Sequence, residues 1–132
     1  MSGGLPIQSG DDVVRVRHRL RAVAAECGLS LVDQTKLVTA ASELARNTLV
    51  HGGGGKALVE VVQSARGRAG VRVDFVDEGP GIADVALALT DGWSSGSGLG
   101  LGLSGARRLV DEFGLTSAPG AGTSVVITKW AR

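Results

Sequence analysis

Val71-Arg72-Val73-Asp74-Phe75-Val76-Asp77-Glu78-Gly79-Pro80-Gly81 is the stretch on which the fold turns. Its first half alternates apolar residues with Arg72 and Asp74, the period of a strand with one buried face. The second half cannot continue as a strand, because glycine and proline turn the backbone sharply. Asp77 therefore stands at a sheet end with no bulky side chain following it. Its carboxylate can accept a ligand's amino proton there. An acidic residue in an ordinary turn reads the same way, so the flanking sequence has to decide.

Upstream, residues 57–63 are valine-rich and alternate, and a basic, glycine-containing turn joins them to 71–76 as an antiparallel hairpin. Before the hairpin, Ser30 and Asp33 form a capping arrangement for a helix that buries Leu37, Val38, Ala41, Leu44, Ala45 and Thr48. That helix stops at His51 and four glycines. An earlier helix carries the stripe Val13, Val16, Leu20, Val23 and Cys27, with Asp11 or Asp12 as cap and Gly28 as terminator, behind a short edge strand at 5–9.

Downstream of Gly81 the chain is glycine- and serine-rich as far as Gly102, interrupted by 82–89, which can hold one or two helical turns. A third helix then places Leu103, Ala106, Leu109, Val110 and Phe113 inward, and strands at 115–118 and 123–130 follow, joined through 119–122. This order predicts an α+β fold, a mixed and mostly antiparallel sheet with helices on one face. No repeat and no linker divides the chain, so 1–132 reads as a single domain with a flexible start at 1–5.

Composition removes several functions. The net charge of +1 arises from acidic and basic residues mixed along the chain, which prepares no face for a polyphosphate backbone, so no nucleic acid partner is expected. Cys27 is the single cysteine, which excludes a disulfide frame and a cysteine zinc cluster and favours a packed thiol. The first ten residues hold no basic or apolar leader, and no apolar run reaches membrane-spanning length; a cytoplasmic protein without membrane contact is expected.

Glu43 and Asn47 lie four apart on the second helix, so they project side by side among small alanines. Alone, the pair fits a solvated helix face better than a site. A second glycine run, Gly96, Gly98, Gly100 and Gly102, leads into the third helix, where bare amides meet the positive end of a helix dipole and favour anions. Gly100, Gly102 and Gly105 match a dinucleotide fingerprint by spacing, but 93–97 is not the buried strand that fingerprint requires. No glycine run is followed by a Walker lysine.

Taken together, Glu43-Leu44-Ala45-Arg46-Asn47, Asp77-Glu78-Gly79-Pro80-Gly81 and Gly98-Leu99-Gly100-Leu101-Gly102-Leu103 resemble, in order and spacing, the three nucleotide-binding boxes of the GHKL (Bergerat-fold) ATPases. Gly120-Ala121-Gly122-Thr123 resembles the threonine-bearing turn of their last strands. Residues 42–47, Asp91-Gly92-Trp93-Ser94, Asp111-Glu112-Phe113 and Lys129-Trp130 look most like RsbT-type serine/threonine switch kinases of bacterial stress signalling, with anti-sigma-factor kinases as cousins.

The resemblance implies ATP, with its amino group on Asp77 and support from Thr123, near the turn glycines Gly79 and Gly81. It implies phosphates under the 98–102 amides next to Leu103, and Mg2+ on Asn47. Magnesium keeps waters and phosphate oxygens in its shell, so one amide oxygen suffices as protein anchor. Glu43 becomes the general-base candidate. The implied partners are STAS-domain substrate proteins of the stressosome, then a downstream phosphatase or other output protein; a homodimer is also open. One departure stands out: no lysine or arginine lies between Asp77 and Arg107, across the expected ATP lid at 83–97. Arg46 and His51 are candidate cations outside the lid, and neither is assigned a catalytic role. The missing clamp keeps alive a nucleotide-gated binding switch with little kinase activity, beside an anti-sigma-factor kinase.

Overall fold

In a computed structural model, residues 4–81 and 103–132 are described. They form β1 (Gly4–Ile7), α1 (Gly10–Glu26), α2 (Leu31–Val50), β2 (Gly55–Gln63), β3 (Ala69–Asp77), α3 (Leu103–Leu109), β4 (Glu112–Ser117) and β5 (Thr123–Trp130). The alternation in β3 works as the sequence predicts. Val73 lies opposite Val59 of β2 and Ile127 of β5, so one row of apolar side chains crosses the sheet. Strand order is β1-β2-β3-β5-β4. Every pairing among the described strands is antiparallel. The mostly antiparallel expectation holds, and no parallel pair occurs among the described strands: β5 lies between β3 and β4, which run the same way and so do not pair.

The helices cover one face, on which Ile7, Ala57, Val59, Val71, Val73, Phe75, Val125 and Ile127 are buried with Val16, Leu20, Leu37 and Leu44. On the other face lie polar pairs such as Arg72 with Glu60 at 3.8 Å and Ser124 donating to Asp74 at 2.8 Å. Ser30 caps α2 by accepting the Asp33 N–H at 3.1 Å. The cap of α1 is Ser9, not Asp11 or Asp12. Asp12 is needed elsewhere, since its carboxylate accepts the Gln8 N–H at 2.8 Å and binds Arg15, fixing the chain's entry into the helix. Helix α3 is shorter than its apolar period suggests. Asp111 N–H already donates to Thr128 at 2.9 Å, which draws Phe113 into β4 opposite Ile127. Cys27 packs with its Sγ 3.9 Å from the Gly70 carbonyl, and burial pushes its thiol pKa up.

A buried charge cluster closes the sheet end away from Asp77. Lys129, 4% exposed, places Nζ 3.7 Å from Asp33 and 3.6 Å from Asp111, and Arg132 binds both carboxylates from the surface. The cluster ties the first turn of α2 to the last strand. Lys129→Ala is expected to cost about 3 kcal/mol in urea unfolding, because it removes the buried cation between the two carboxylates and leaves Arg132 as their cation from the surface.

The backbone donor of Gln8 holds the Asp12 carboxyl below its usual range, helped by Arg15 and opposed by desolvation. A lowered folded-state value means stability that is present above the unfolded pKa of about 4 and lost as pH falls through the folded one. Urea midpoints measured from about pH 6 down to about pH 2 should fall less steeply for Asp12→Asn than for the parent.

Candidate functional site

Register brings four small or polar residues into one row across the sheet: Gly55 of β2, Asp77 of β3, Thr123 of β5 and Ser117 of β4. Above this row lies the C-terminal half of α2, which contributes Leu44, Asn47, Thr48 and His51 to a cleft. Phe75, Val125 and Leu103 supply further apolar wall, while Asp77, Thr123, Gly52 and Gly81 form its polar end. The enclosed part of the cleft is small, about 50 Å³, and its walls are mostly apolar with few polar groups, the chemistry of a small-molecule site.

Glycine packing fixes the carboxylate. Gly79 N–H donates to Asp77 Oδ1 at 2.9 Å, closing the turn on itself. Gly52, at the exit of α2, lies so near that a Cβ there would sit 2.4 Å from Asp77 Cγ and 2.6 Å from Oδ2. A Cβ on Gly79 would meet the Gly52 carbonyl oxygen at 2.7 Å. From the other side Gly122, at φ +79°, would bring a Cβ to 2.3 Å from the Asp77 carbonyl. Three turns therefore converge on Asp77, and none of them tolerates a side chain at its contact point. Thr48 lines the cleft but spends its proton on the Leu44 carbonyl at 3.0 Å.

Of the residues singled out in the sequence, Asn47, Asp77, Gly81, Leu103 and Thr123 share the cleft, and Gly79 supports Asp77 from behind. Gly98, Gly100, Gly102 and the expected lid fall outside the described residues. Glu43 is separate. It borders a second groove, between α1 and α2, together with Val13, Arg17, Ser42, Arg46 and Leu49. Because Ala40, Ala41, Leu44 and Ala45 turn inward, Glu43 falls on the α1 side of the helix. Sequence reasoning passed over Gly52 and Ser117. The run of four glycines after α2 was the available signal for Gly52; an isolated strand serine gave none. Among the described residues no group of three His, Cys, Asp or Glu could hold a metal ion.

A family model described as histidine kinase-, DNA gyrase B-, and HSP90-like ATPase matches residues 32–131. The chain belongs to this ATPase family. It is 45% identical to the serine/threonine-protein kinase RsbT of Bacillus subtilis (strain 168) over 92% of this chain and 90% of that protein, which places it with the RsbT-type serine/threonine kinases. It is 27% identical to the anti-sigma F factor of Thermoanaerobacter sp. (strain X514), over 86% of this chain and 82% of that one. Among solved structures, the RsbU and RsbW domains of a Mycobacterium tuberculosis protein superpose with a TM-score of 0.67 at 25% identity, covering all of this chain and 32% of that longer one.

The donor set suits what an ATPase of this family must hold. Asp77 only accepts hydrogen bonds, Thr123 stands directly across the ladder, and the apolar walls can flank a flat base. No helix among the described residues is long and apolar enough to cross a membrane. Gly52→Ala should weaken ATP binding at least about tenfold and destabilise the fold by about 1–3 kcal/mol, since its Cβ must displace Asp77. Gly53→Ala, at φ +74° with open space around it, should cost about 1 kcal/mol and leave ATP affinity nearly unchanged; calorimetric titration of both variants separates the effects.

Proposed function

We propose that this chain is an ATP- and Mg2+-dependent kinase that phosphorylates serine or threonine on STAS-domain regulatory proteins of a bacterial stress-signalling partner switch, and then engages a downstream output protein in the cytoplasm. The observation that carries the reading is the cleft itself: acceptors at Asp77 and Thr123, apolar walls, and Asn47 one turn before His51, in a chain 45% identical to a serine/threonine-protein kinase over most of both lengths.

In this reading Asp77 accepts the base's amino proton, and Asn47 offers its amide oxygen to Mg2+, which would draw its remaining ligands from water and phosphate. The 98–102 amides take the phosphates. Glu43, one turn before Asn47, takes the proton from the incoming hydroxyl, whose oxygen then bonds to the γ-phosphorus as the bond to the ADP oxygen breaks. The groove beside Glu43 supplies an approach for the acceptor, with Arg17 and Arg46 as cations along it.

A specific observation favours a second reading, a nucleotide-gated binding switch: residues 78–106 contain no lysine or arginine to clamp a γ-phosphate. Glu43→Gln separates the two. With labelled ATP and a panel of STAS-domain proteins from the source organism, the kinase reading expects transfer to fall by about 100-fold or more while ATP affinity stays within about twofold. Transfer that is absent in the parent, or unchanged in the variant, would sink it. Asn47→Ala should remove the Mg2+-dependent part of ATP binding, measured as the ratio of affinities with the metal and with a chelator.

A further inference from the structure

The Gly52 contact that fixes Asp77 is made by a turn with no side chains of its own. Residues 52–55 are four consecutive glycines, the residue type that loses most backbone freedom on folding. Two backbone bonds tie the turn to the end of α2: the Gly52 N–H donates to the Asn47 carbonyl at 3.1 Å and the Gly54 N–H to the Thr48 carbonyl at 2.9 Å. Gly55 then enters the sheet between Ile7 of β1 and Asp77 of β3. At Gly53 a Cβ would meet nothing within 4 Å. At Gly54 the three nearest atoms all belong to the Gln8 carboxamide, with Oε1 2.7 Å from where a Cβ would stand and Cδ and Nε2 at 3.2 Å. Gln8 is itself well placed to hold still. The residue before it, Ile7, is fully buried and pairs with Gly55, and its own N–H donates to Asp12 Oδ2 at 2.8 Å, a carboxylate that Arg15 also binds. Its side chain borders an open groove behind the turn, where Lys56 and Glu78 are its neighbours and Asp77 is reached again.

We propose that Gln8 is a positioning residue for the nucleotide-binding carboxylate: its carboxamide backs the glycine turn, so that Gly52 stays against Asp77 and the carboxylate keeps its depth in the cleft. The reason is entropic. Backbone bonds hold the turn at its two ends, but glycines between them have many other conformations open, and each of these carries Gly52 away from Asp77. A side chain seated on Gly54 removes the conformations that lead into the groove, which lowers the ordering cost when a ligand arrives. Gln8 is exposed, so the contact adds little to the core and acts on the turn alone. The first turn of α1 and the carboxylate are thereby joined through Asp12, Gln8, Gly54 and Gly52. The effect on affinity rests on the nucleotide reading given above; the order of the turn does not.

Hydrogen exchange of the ligand-free chain reads the turn directly. In Gln8→Ala the amides of Gly52, Gly53 and Gly54 should exchange at least about fivefold faster, while those of β3 keep the parent's rates. Gln8→Met, similar in length and bulk but without the carboxamide, should restore slow exchange, because the contact works by occupying space. Calorimetry and transfer kinetics then read the carboxylate. ATP affinity should fall about fivefold in Gln8→Ala and recover in Gln8→Met, while the transfer rate at saturating ATP stays within about twofold of the parent. In a Gly52→Ala background, where Asp77 is already displaced, Gln8→Ala should cost no further affinity. Parent-like exchange at 52–54 in Gln8→Ala would overturn the proposal, and faster exchange spread over the whole chain would reduce Gln8 to a residue of general stability. Faster exchange confined to the turn, with ATP affinity unchanged, would equally remove its positioning role. A parent chain that binds no ATP would instead overturn the nucleotide reading, and leave the exchange result standing for the turn.

Discussion

The site depends on the approach of the α2 exit to the Asp77 carboxylate. Gly52 lies where any side chain would overlap the carboxylate carbon, Gly122 crowds the Asp77 carbonyl from another side, and Gly79 packs against Gly52 itself. Three connections that are remote in sequence thereby become one object. The α2–β2 turn sets the depth of the carboxylate, the turn after β3 holds one oxygen through its own N–H, and the β4–β5 turn brings Thr123 into line. A carboxylate fixed this firmly needs no reorganisation when a ligand arrives, and that preorganisation is where a small site gains selectivity.

Helix α2 can serve this end because it is anchored at the other. Its first turn is held by Asp33 in the buried cluster with Lys129, Asp111 and Arg132, and its middle packs Leu37, Ala41 and Leu44 against the sheet. Its last turns are bounded by glycine instead of bulk. A rigid start and a close-packed but side-chain-free exit give Asn47 and Glu43 defined positions while leaving room beneath them. The ion cluster is not an obvious gain in stability over an apolar replacement, because desolvating its charges offsets much of their attraction. Its effect is geometric: the charges must meet, so the helix start, the last strand and the α3–β4 connection have one relative placement.

Much of this was legible in the sequence because strict periodicity carried it. The alternation from Val71 to Val76 and the stripe of α2 depend on local chemistry and one buried face, and both appear as read. The errors came where long-range partners overrule local preference. Asp12 looks like a cap, but its carboxylate is claimed by Gln8 and Arg15, so Ser9 caps instead. Phe113 continues a helical stripe until β5 offers it a ladder position opposite Ile127. Parallel pairing was plausible for the strand order, and only the insertion of β5 excludes it. In the cleft, Asp77, Asn47 and Thr123 were marked by their neighbours, whereas Ser117 is defined by a residue six positions later across a strand pair. Such a relation has no local signature.

The separation of Glu43 from Asn47 is the least expected feature, and it has a simple origin. Residues four apart on an α-helix differ by about 40° around its axis. On a helix wedged between a sheet and another helix, that angle is enough to put Asn47 on the wall of the cleft and Glu43 on the rim of the α1–α2 groove. A transferase has to admit two molecules without letting water stand between them. In the proposed kinase the nucleotide would enter from the sheet side and a protein hydroxyl from the α1 side, so that helix α2 borders both, its base and its metal anchor little more than one turn apart. On the proposed reading, the same offset that makes the pair look like an ordinary solvated face in sequence is what lets one helix serve both reactants.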